Sequence, residues 1–586
     1  MSMATLYVLY GSATGTAQDV AEQIGRMASA RLVPTVISAM DDFAIETLPN
    51  LTHVVFVVAT TGDGEAPENM TQSWKLLLRK SLGSDSLSNV HTAVFGLGDS
   101  SYAKYNAVAR RLQARLVQLG ASEIIDRGLG DDQHELGYHG ALNPWLEKLW
   151  SKLLATFNHL PVNFVVDDSP KMIAPKYKVS ITNVKSPPCP HTFYAPPKSV
   201  LPQLNGQLIM AKLVKNDRLT AEDWTQDVRH VQLEIPSIEY KPGDIALLYP
   251  ENVDVDGINA LLNRLNLDKK TMLVVDRVDG AAHDFPSPMT IEELVRKYLD
   301  IFGTPRRSFF ERLSLFAIDE EEKEKLLELA SPGGADLLSD YCTRERRTFV
   351  EVLCDFKSCH VPLEYLLEFI PRLQPRAYSI ASSSQMQTKA IELTIGLVEY
   401  RTPYKRLKRG ICSQYLTSLT HGAILPVWIK TGVFSPPPLD KDVILIGPGT
   451  GIAVMRALVY SRTQATGKTH LYVGCRHAAK DFLYKDEWKV LVANGTLSSL
   501  HTAFSRDQAW KMYVQGKLNE TKQLVFQVLS SGGYCLVAGS AKRMPSDVYE
   551  AVRDIIADEG RVSLKDAEKF MKSLVRQKRY IVESWA

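Results

Sequence analysis

Apolar residues in this chain gather into short blocks, and the way the blocks repeat divides it into regions. Residues 6–10, 54–58 and 92–96 are apolar runs rich in β-branched and aromatic side chains. Between them lie stretches such as 17–28, whose apolar positions recur at helical spacing. Strand-like runs that alternate with helical ones predict a parallel, doubly wound sheet over residues 1–157.

From 158 to 202 the periodicity fades. Pro187, Pro188, Pro190, Pro196, Pro197 and Pro202 crowd this segment, which reads as an extended connector. Residues 203–435 mix strand-like runs at 245–249 and 393–397 with a helical, charge-rich insert at about 255–340, of which Asp319-Glu320-Glu321-Glu322-Lys323 is typical. Alternation returns in 436–586, where 443–447, 471–474 and 534–539 read as parallel strands. No internal repeat is evident, although two α/β modules bracket the middle one. The predicted class is α/β multidomain.

Composition narrows the function. A chain of 586 residues exceeds one hydrophobic core and fits about three or four domains. A formal charge of +2, with no basic run interleaved with aromatics, argues against nucleic-acid binding. The opening MSMATLYVLYGS lacks the basic flank and long apolar stretch of a signal peptide, and no run approaches the ~20 apolar residues that span a bilayer. The seven cysteines (Cys189, Cys342, Cys354, Cys359, Cys412, Cys475, Cys535) are odd in number, scattered and without a C-x-x-C pair, so neither zinc nor a disulfide framework is predicted. A reducing, cytoplasmic location without a membrane anchor is the expectation.

Three loops in the first region follow strand-like runs. Gly11-Ser12-Ala13-Thr14-Gly15-Thr16-Ala17 opens the first helical stretch, and its backbone N–H groups and hydroxyls suit a phosphate dianion. The lysine of a nucleotide-hydrolysing P-loop is absent, and by itself the loop is as readily a capped turn. Ala59-Thr60-Thr61-Gly62-Asp63-Gly64 and Gly96-Leu97-Gly98-Asp99-Ser100-Ser101-Tyr102-Ala103-Lys104-Tyr105-Asn106 would lie at the same, carboxyl edge of the sheet, where such folds bind ligands. Together the three loops resemble the flavodoxin-like FMN domain of diflavin reductases. The resemblance implies that Ser12 to Thr16, with Ala17, hold the FMN phosphate and that Tyr102 stacks on the flavin ring. It also implies a carbonyl at Gly62 that reorients toward flavin N5. In Gly128-Leu129-Gly130-Asp131-Asp132 it puts Asp132 near the cofactor. Many relatives carry an aromatic residue where this chain has Thr61, so one flavin face would lack that cover.

In the middle region, Arg376-Ala377-Tyr378-Ser379-Ile380-Ala381-Ser382 matches the R-x-Y-S signature of ferredoxin-reductase-like flavoproteins, a β-barrel family that binds FAD. A guanidinium suits pyrophosphate oxygens, an aromatic ring packs on the flavin, and a hydroxyl sits near N5. Gly410-Ile411-Cys412-Ser413 would add a glycine turn and backbone donors to the pyrophosphate site. Arg346, beside Arg347, aligns with a further FAD contact, although adjacent arginines are more often surface charge. The insert resembles the helical connecting domain of diflavin reductases.

The last region carries Gly447-Pro448-Gly449-Thr450-Gly451-Ile452-Ala453, a glycine-rich turn suited to pyrophosphate approach in a Rossmann-like NADPH domain. The family usually continues with proline where this chain has Val454, a change expected in helix packing rather than cofactor contact. Ser505 and Arg506, followed by Lys511-Met512-Tyr513-Val514-Gln515, offer a hydroxyl, a guanidinium, an ammonium and a phenol. That set suits the 2′-phosphate of NADPH, whereas an NAD site would place a carboxylate on the ribose. Cys475 and Arg476 fit the family pattern. Asp547 aligns with a minor contact and is as readily a helix N-terminal acid.

Near its end the chain has Glu583-Ser584-Trp585. By itself Trp585 reads as a core plug. In the family the C-terminal aromatic covers the FAD ring and yields when hydride passes, and Glu583 joins a catalytic polar cluster with Ser379. Microsomal relatives add a cysteine where this chain has Ala538. With FMN, FAD and NADPH motifs in that order, the resemblance spans almost the whole chain. It is closest to the small soluble NADPH-dependent diflavin oxidoreductases, which pass electrons to an anamorsin-like iron–sulfur protein in cytosolic iron–sulfur cluster assembly. The expected state is a monomer that forms a transient complex with its acceptor. Another soluble diflavin reductase, serving a sulfite reductase, a heme protein or a cobalamin enzyme, is the alternative. A binding scaffold that has lost its chemistry is disfavoured by the intact Arg376, Ser379, Ser505, Arg506 and Trp585.

Overall fold

A computed structural model describes residues 5–62, 64–102, 104–157, 169–172, 174–182, 201, 204, 207–236, 238–278, 280, 285–385 and 388–585. Ala103, Cys189, Pro187, Pro188, Pro190, Pro196, Pro197 and Pro202 lie outside the described residues.

The first sheet has six parallel strands. Its order is Thr35–Ala39, Leu6–Gly11, His53–Ala59, His91–Gly98 and Ser122–Glu123, with Gly128–Asp131 also paired to His91–Gly98. Side chains of a strand alternate between faces, and helices cover both faces here. Val55 and Val57 therefore enter one apolar cluster, while Val54, Phe56 and Val58 enter the other. This is why the strands read as unbroken apolar runs.

Six antiparallel strands form the middle sheet, in the order Arg376–Ser379, Ile245–Leu248, Ile424–Lys430, Leu208–Arg218, Val228–Glu234 and Ala390–Gly396. An antiparallel bridge from Ile380 to Leu393 joins the two edges and closes the barrel. Beside it, the helices Val255–Arg264, Arg307–Leu313, Glu320–Ala330, Phe349–Asp355 and Leu363–Phe369 share one core that runs from Ile258 to Ile370. That unit is wider than the helical, charge-rich insert expected at about 255–340. It also holds a small sheet in which Tyr177–Thr182, from within the expected connector, pairs with Met272–Arg277.

The third sheet has five parallel strands, ordered Ser499–Phe504, Thr469–Cys475, Val443–Ile446, Tyr534–Ser540 and Tyr580–Trp585. It shares an apolar cluster with the barrel, because Val228 and Phe434 pack with Val443, Leu445 and Val454. The first module is attached differently. Its two apolar clusters contain only its own residues among those described. It meets the rest through polar contacts: Arg26 with Glu311 at 3.3 Å, Glu68 with Lys430 at 2.7 Å, and Asn143 with Arg307 at 3.1 Å.

Arg456 cements the barrel to the third module. It lies on the helix Ile452–Tyr460, is 6% exposed, and donates to the Ala381 carbonyl at 2.9 Å and to Glu487 at 2.8 Å. Glu392 of the barrel completes its ion pairs, and the rings of Tyr460 and Tyr484 lie against its guanidinium. Among the described residues, replacing Arg456 with Met would leave the buried Glu392 beside only His230, whose imidazole is held toward the neutral form by burial. That costs about 3–5 kcal/mol, as for a broken buried pair. Denaturant-dependent hydrogen exchange in the strand Val443–Ile446 should report that loss. A change under ~1 kcal/mol would make the pair no stronger than a surface one.

Candidate functional site

The three loops of the first sheet lie at the carboxyl ends of its strands, and hydrogen bonds within them, between the second and third, and to neighbouring segments fix their shape. The Ser12 amide donates to Asn69 Oδ1 at 2.8 Å, and the Gly15 amide donates to Ser12 Oγ at 3.0 Å. Gly15 has φ of +90°, which turns the chain into the helix Thr16–Ala30. The amides of Ala13, Thr14, Thr16 and Ala17 find no acceptor among the described residues. Unsatisfied donors at a helix N-terminus fit the phosphate that FMN would bring.

In the second loop, Thr61 and Glu65 exchange backbone hydrogen bonds of 2.9 and 2.7 Å around Gly62, whose φ is +48°. The Thr60 amide donates to the Leu97 carbonyl at 3.0 Å, and Ala59 lies opposite Leu97 in register, so the second and third loops are joined at their base. Arg111 donates to the Gly64 carbonyl, and Lys104 packs over Gly64. Ser100 donates its amide to Asp131 at 2.8 Å, and Ser101 donates its amide to Asp99 at 2.8 Å. The Tyr105 hydroxyl donates to Leu129, and Asn106, at φ +51°, donates to Gly130. The Asp132 amide donates to Gly98. Burial raises the Asp132 carboxyl, with Asp99 and Asp131 adding to it while Arg346 opposes. Tyr102 stays half-buried beside these acids, and its hydroxyl is raised first by burial and then by Asp99 and Asp132. Apart from Ala103, which lies outside the described residues, the expected residues of this cluster lie on or beside these loops. Asn69, Asp131 and Arg111 hold the loops in shape but carry no local sequence signal that singles them out.

The two motifs of the barrel also meet. Tyr378 is hydrogen-bonded to the Cys412 thiol, which burial pushes up to about 11. Ala377 pairs with Leu247, so Arg376 and Tyr378 take the opposite face of the strand from it. Arg376 donates to the Gln374 carbonyl at 2.7 Å. Gly410 precedes the helix Ile411–Ser418, and Ser413 receives the Val398 amide while donating to Gly410. A guanidinium beside an open helix N-terminus fits a pyrophosphate such as that of FAD. Arg346 is exposed with φ of +48°, and its charge acts on Asp132. Its neighbour Arg347 is committed to Asp355 and the Tyr341 ring.

In the third module a Cβ on Gly451 would come within 2.0 Å of the Ala538 carbonyl, so the Gly449–Gly451 turn, with Thr450 at its centre, requires glycine. Gly449, at φ +57°, faces open space, which leaves its backbone approachable by a dinucleotide pyrophosphate. Val454 is fully buried in the apolar cluster. The amides of Ser505 and Arg506 donate to the carbonyls of Cys475 and Arg476, both at 2.9 Å. Asp481 ties back the amides of Arg476 and His477, and Asp507 binds His477 and the Ala478 amide. Arg506, Lys511 and Tyr513 are exposed, and no carboxylate pairs with Arg506 or Lys511 among the described residues. This donor set, with its nearest acid turned away, fits a phosphate monoester. Val514 is a core residue, Met512 packs on Gly516, and Gln515 reaches Asp547 at 3.5 Å.

The modules come together at the end of the last strand. Ser379 Oγ donates to Glu583 Oε2 at 3.4 Å across 204 residues of chain. Glu583 lies opposite Ala538 and is 8% exposed. Burial pushes its carboxyl up to about 7, the Ser379 hydroxyl pulls it back, and Glu65 from the second loop of the first module raises it. Trp585 pairs with Ser540 and packs, partly buried, on the cluster shared with the barrel. No helix among the described residues is long and apolar enough to cross a membrane.

The chain matches the flavodoxin family over residues 8–145, the FAD binding domain over 202–415 and the oxidoreductase NAD-binding domain over 445–550. Among known proteins it is 40% identical to NADPH-dependent diflavin oxidoreductase 1 of Bos taurus, with all of both chains covered. It is 37% identical to that of Arabidopsis thaliana over 99% of each chain, and 36% identical to that of Schizosaccharomyces pombe over all of both. With its FMN-type, FAD and nicotinamide modules in that order, the chain belongs to the NADPH-dependent diflavin oxidoreductases.

Proposed function

We propose that this chain takes hydride from NADPH at FAD and passes the electrons through FMN to an anamorsin-like iron–sulfur protein in cytosolic iron–sulfur cluster assembly. The observation that carries the reading is the meeting of Ser379, Glu583 and the charge of Glu65, one from each module, at one place. Bound FAD supplies a two-electron acceptor that can release electrons singly, and bound FMN relays them.

The residues have distinct tasks. Ser505, Arg506, Lys511 and Tyr513 hold the 2′-phosphate, and Thr450 with the glycine turn receives the pyrophosphate. Trp585 covers the flavin face and moves aside for nicotinamide. Ser379 and Glu583 position the reacting groups; hydride departure leaves positive charge on nicotinamide, which an ionised Glu583 stabilises. Arg376, Tyr378, Cys412 and Ser413, with Arg346, hold FAD. The three loops of the first module hold FMN, with Tyr102 against its ring. The acceptor's identity is supported by likeness of the whole chain to its subfamily.

Arg506→Ala should weaken NADPH by roughly 1.5–3 kcal/mol, as for a charge-assisted contact, and leave NADH nearly unchanged. Ratios of kcat/KM for the two donors measure this, and equal losses would remove Arg506 from the phosphate site. Glu583 is ionised above about 7 and neutral below it. Flavin reduction by NADPH should therefore speed up as pH rises through about 7, and Glu583→Gln should flatten that rise. The same inflection in the variant would assign it to another group. For the acceptor, protein reduced anaerobically with NADPH is mixed in a stopped-flow instrument with an anamorsin-like protein and with heme proteins. Rapid reduction of the iron–sulfur protein is expected; reduction of the heme proteins alone would overturn that assignment.

A further inference from the structure

The connecting unit reaches into the phosphate loop of the first module. Arg306, at the start of the helix Arg307–Leu313, donates from Nη2 to the Thr14 carbonyl at 2.7 Å. Its Nη1 lies 3.3 Å from the position a Cβ on Gly15 would take, so the guanidinium lies over the Thr14–Gly15 peptide. Neighbouring contacts hold it there. Ser308 donates to Asp19 in the first turn of the helix Thr16–Ala30, Arg307 donates to Asn143 at 3.1 Å, and Arg26 pairs with Glu311 at 3.3 Å.

A guanidinium has five N–H donors, and the Thr14 carbonyl uses one of them. No carboxylate is within ion-pair distance of Arg306 among the described residues, and its charge acts on the Tyr138 hydroxyl and on Asp300. Its hydrogen bond occupies the Thr14 carbonyl, which would otherwise repel an anion. The amides of Ala13, Thr14, Thr16 and Ala17 beside it have no acceptor among the described residues. We infer that Arg306 is a phosphate-binding residue for FMN supplied by the connecting unit, so that FMN retention and docking of the first module are linked. The inference rests on the assignment of the Ser12 to Thr16 loop to the FMN phosphate. By reciprocity, whatever docking adds to FMN affinity, the FMN phosphate adds to docking.

Riboflavin lacks only the phosphate, which gives a direct test. Binding of FMN and of riboflavin to the full chain freed of flavin is followed by quenching of flavin fluorescence. Arg306→Gln should weaken FMN roughly tenfold or more, as for a charge-assisted contact, and leave riboflavin unchanged. Arg306→Lys, which keeps the charge, should retain most of the preference. An equal loss for FMN and riboflavin, no loss for either, or a matching loss in Glu311→Gln would overturn the inference. So would weakened NADP⁺ binding with the FMN preference intact, because the guanidinium would then serve the nucleotide. Thr16→Val tests the underlying assignment. If it abolishes the preference while Arg306→Gln keeps it, Arg306 alone is wrong; if wild-type protein binds both flavins equally, the loop assignment itself fails.

Discussion

A guanidinium removed from water needs carboxylates to match its charge and acceptors for its N–H groups. Arg456 finds them in separate segments: Glu392 and the Ala381 carbonyl from the barrel, and Glu487 from its own module. Ala381 lies two residues beyond Ser379 on the same stretch of chain. The helix that carries Arg456 begins directly after the Gly449–Gly451 turn. One buried charge therefore fixes the turn that would receive the dinucleotide relative to the strand that would hold the flavin. The shared cluster of Val228, Phe434 and Val443 makes the same connection with apolar contacts. Hydride chemistry tolerates little error in position, and these two contacts supply the rigidity.

The first module is held on other terms. Ion pairs and hydrogen bonds such as Glu68 with Lys430 join it to the remainder. Partly exposed pairs contribute little each and weaken with salt. An electron carrier that must face a flavin and then a partner protein benefits from contacts that release readily. An apolar seam thus joins the barrel to the third module, and polar contacts join the first module to the rest.

Much of this was legible in the sequence where backbone does the work. Strands buried on both faces, such as His53–Ala59, announce themselves as apolar runs, and loops that bind through N–H groups need glycines and hydroxyls at fixed spacing. Residues that act by long-range side-chain contact left no such trace. Arg306 meets Thr14 across 292 residues, and Asn69 meets Ser12 across 57. Arg456 interrupts an apolar helix, and only the fold shows that its partners are buried with it. Tyr177–Thr182 escaped notice because it is half exposed, borders a proline-rich segment and finds its partner at Met272–Arg277.

The register of the last strand carries a further consequence. Glu583 stands beside Ala538 because Tyr580–Trp585 pairs in parallel with the strand ending at Ser540. Side chains alternate between sheet faces, so a slip of one residue would set Val582 or Ser584 in its place. The turn before it closes with Lys578 at φ +57° and an Arg579 amide bonded to the Leu574 carbonyl. Its length is thus part of the chemistry. A change of length there that shifted the register would turn Glu583 to the other face of the sheet, away from Ser379.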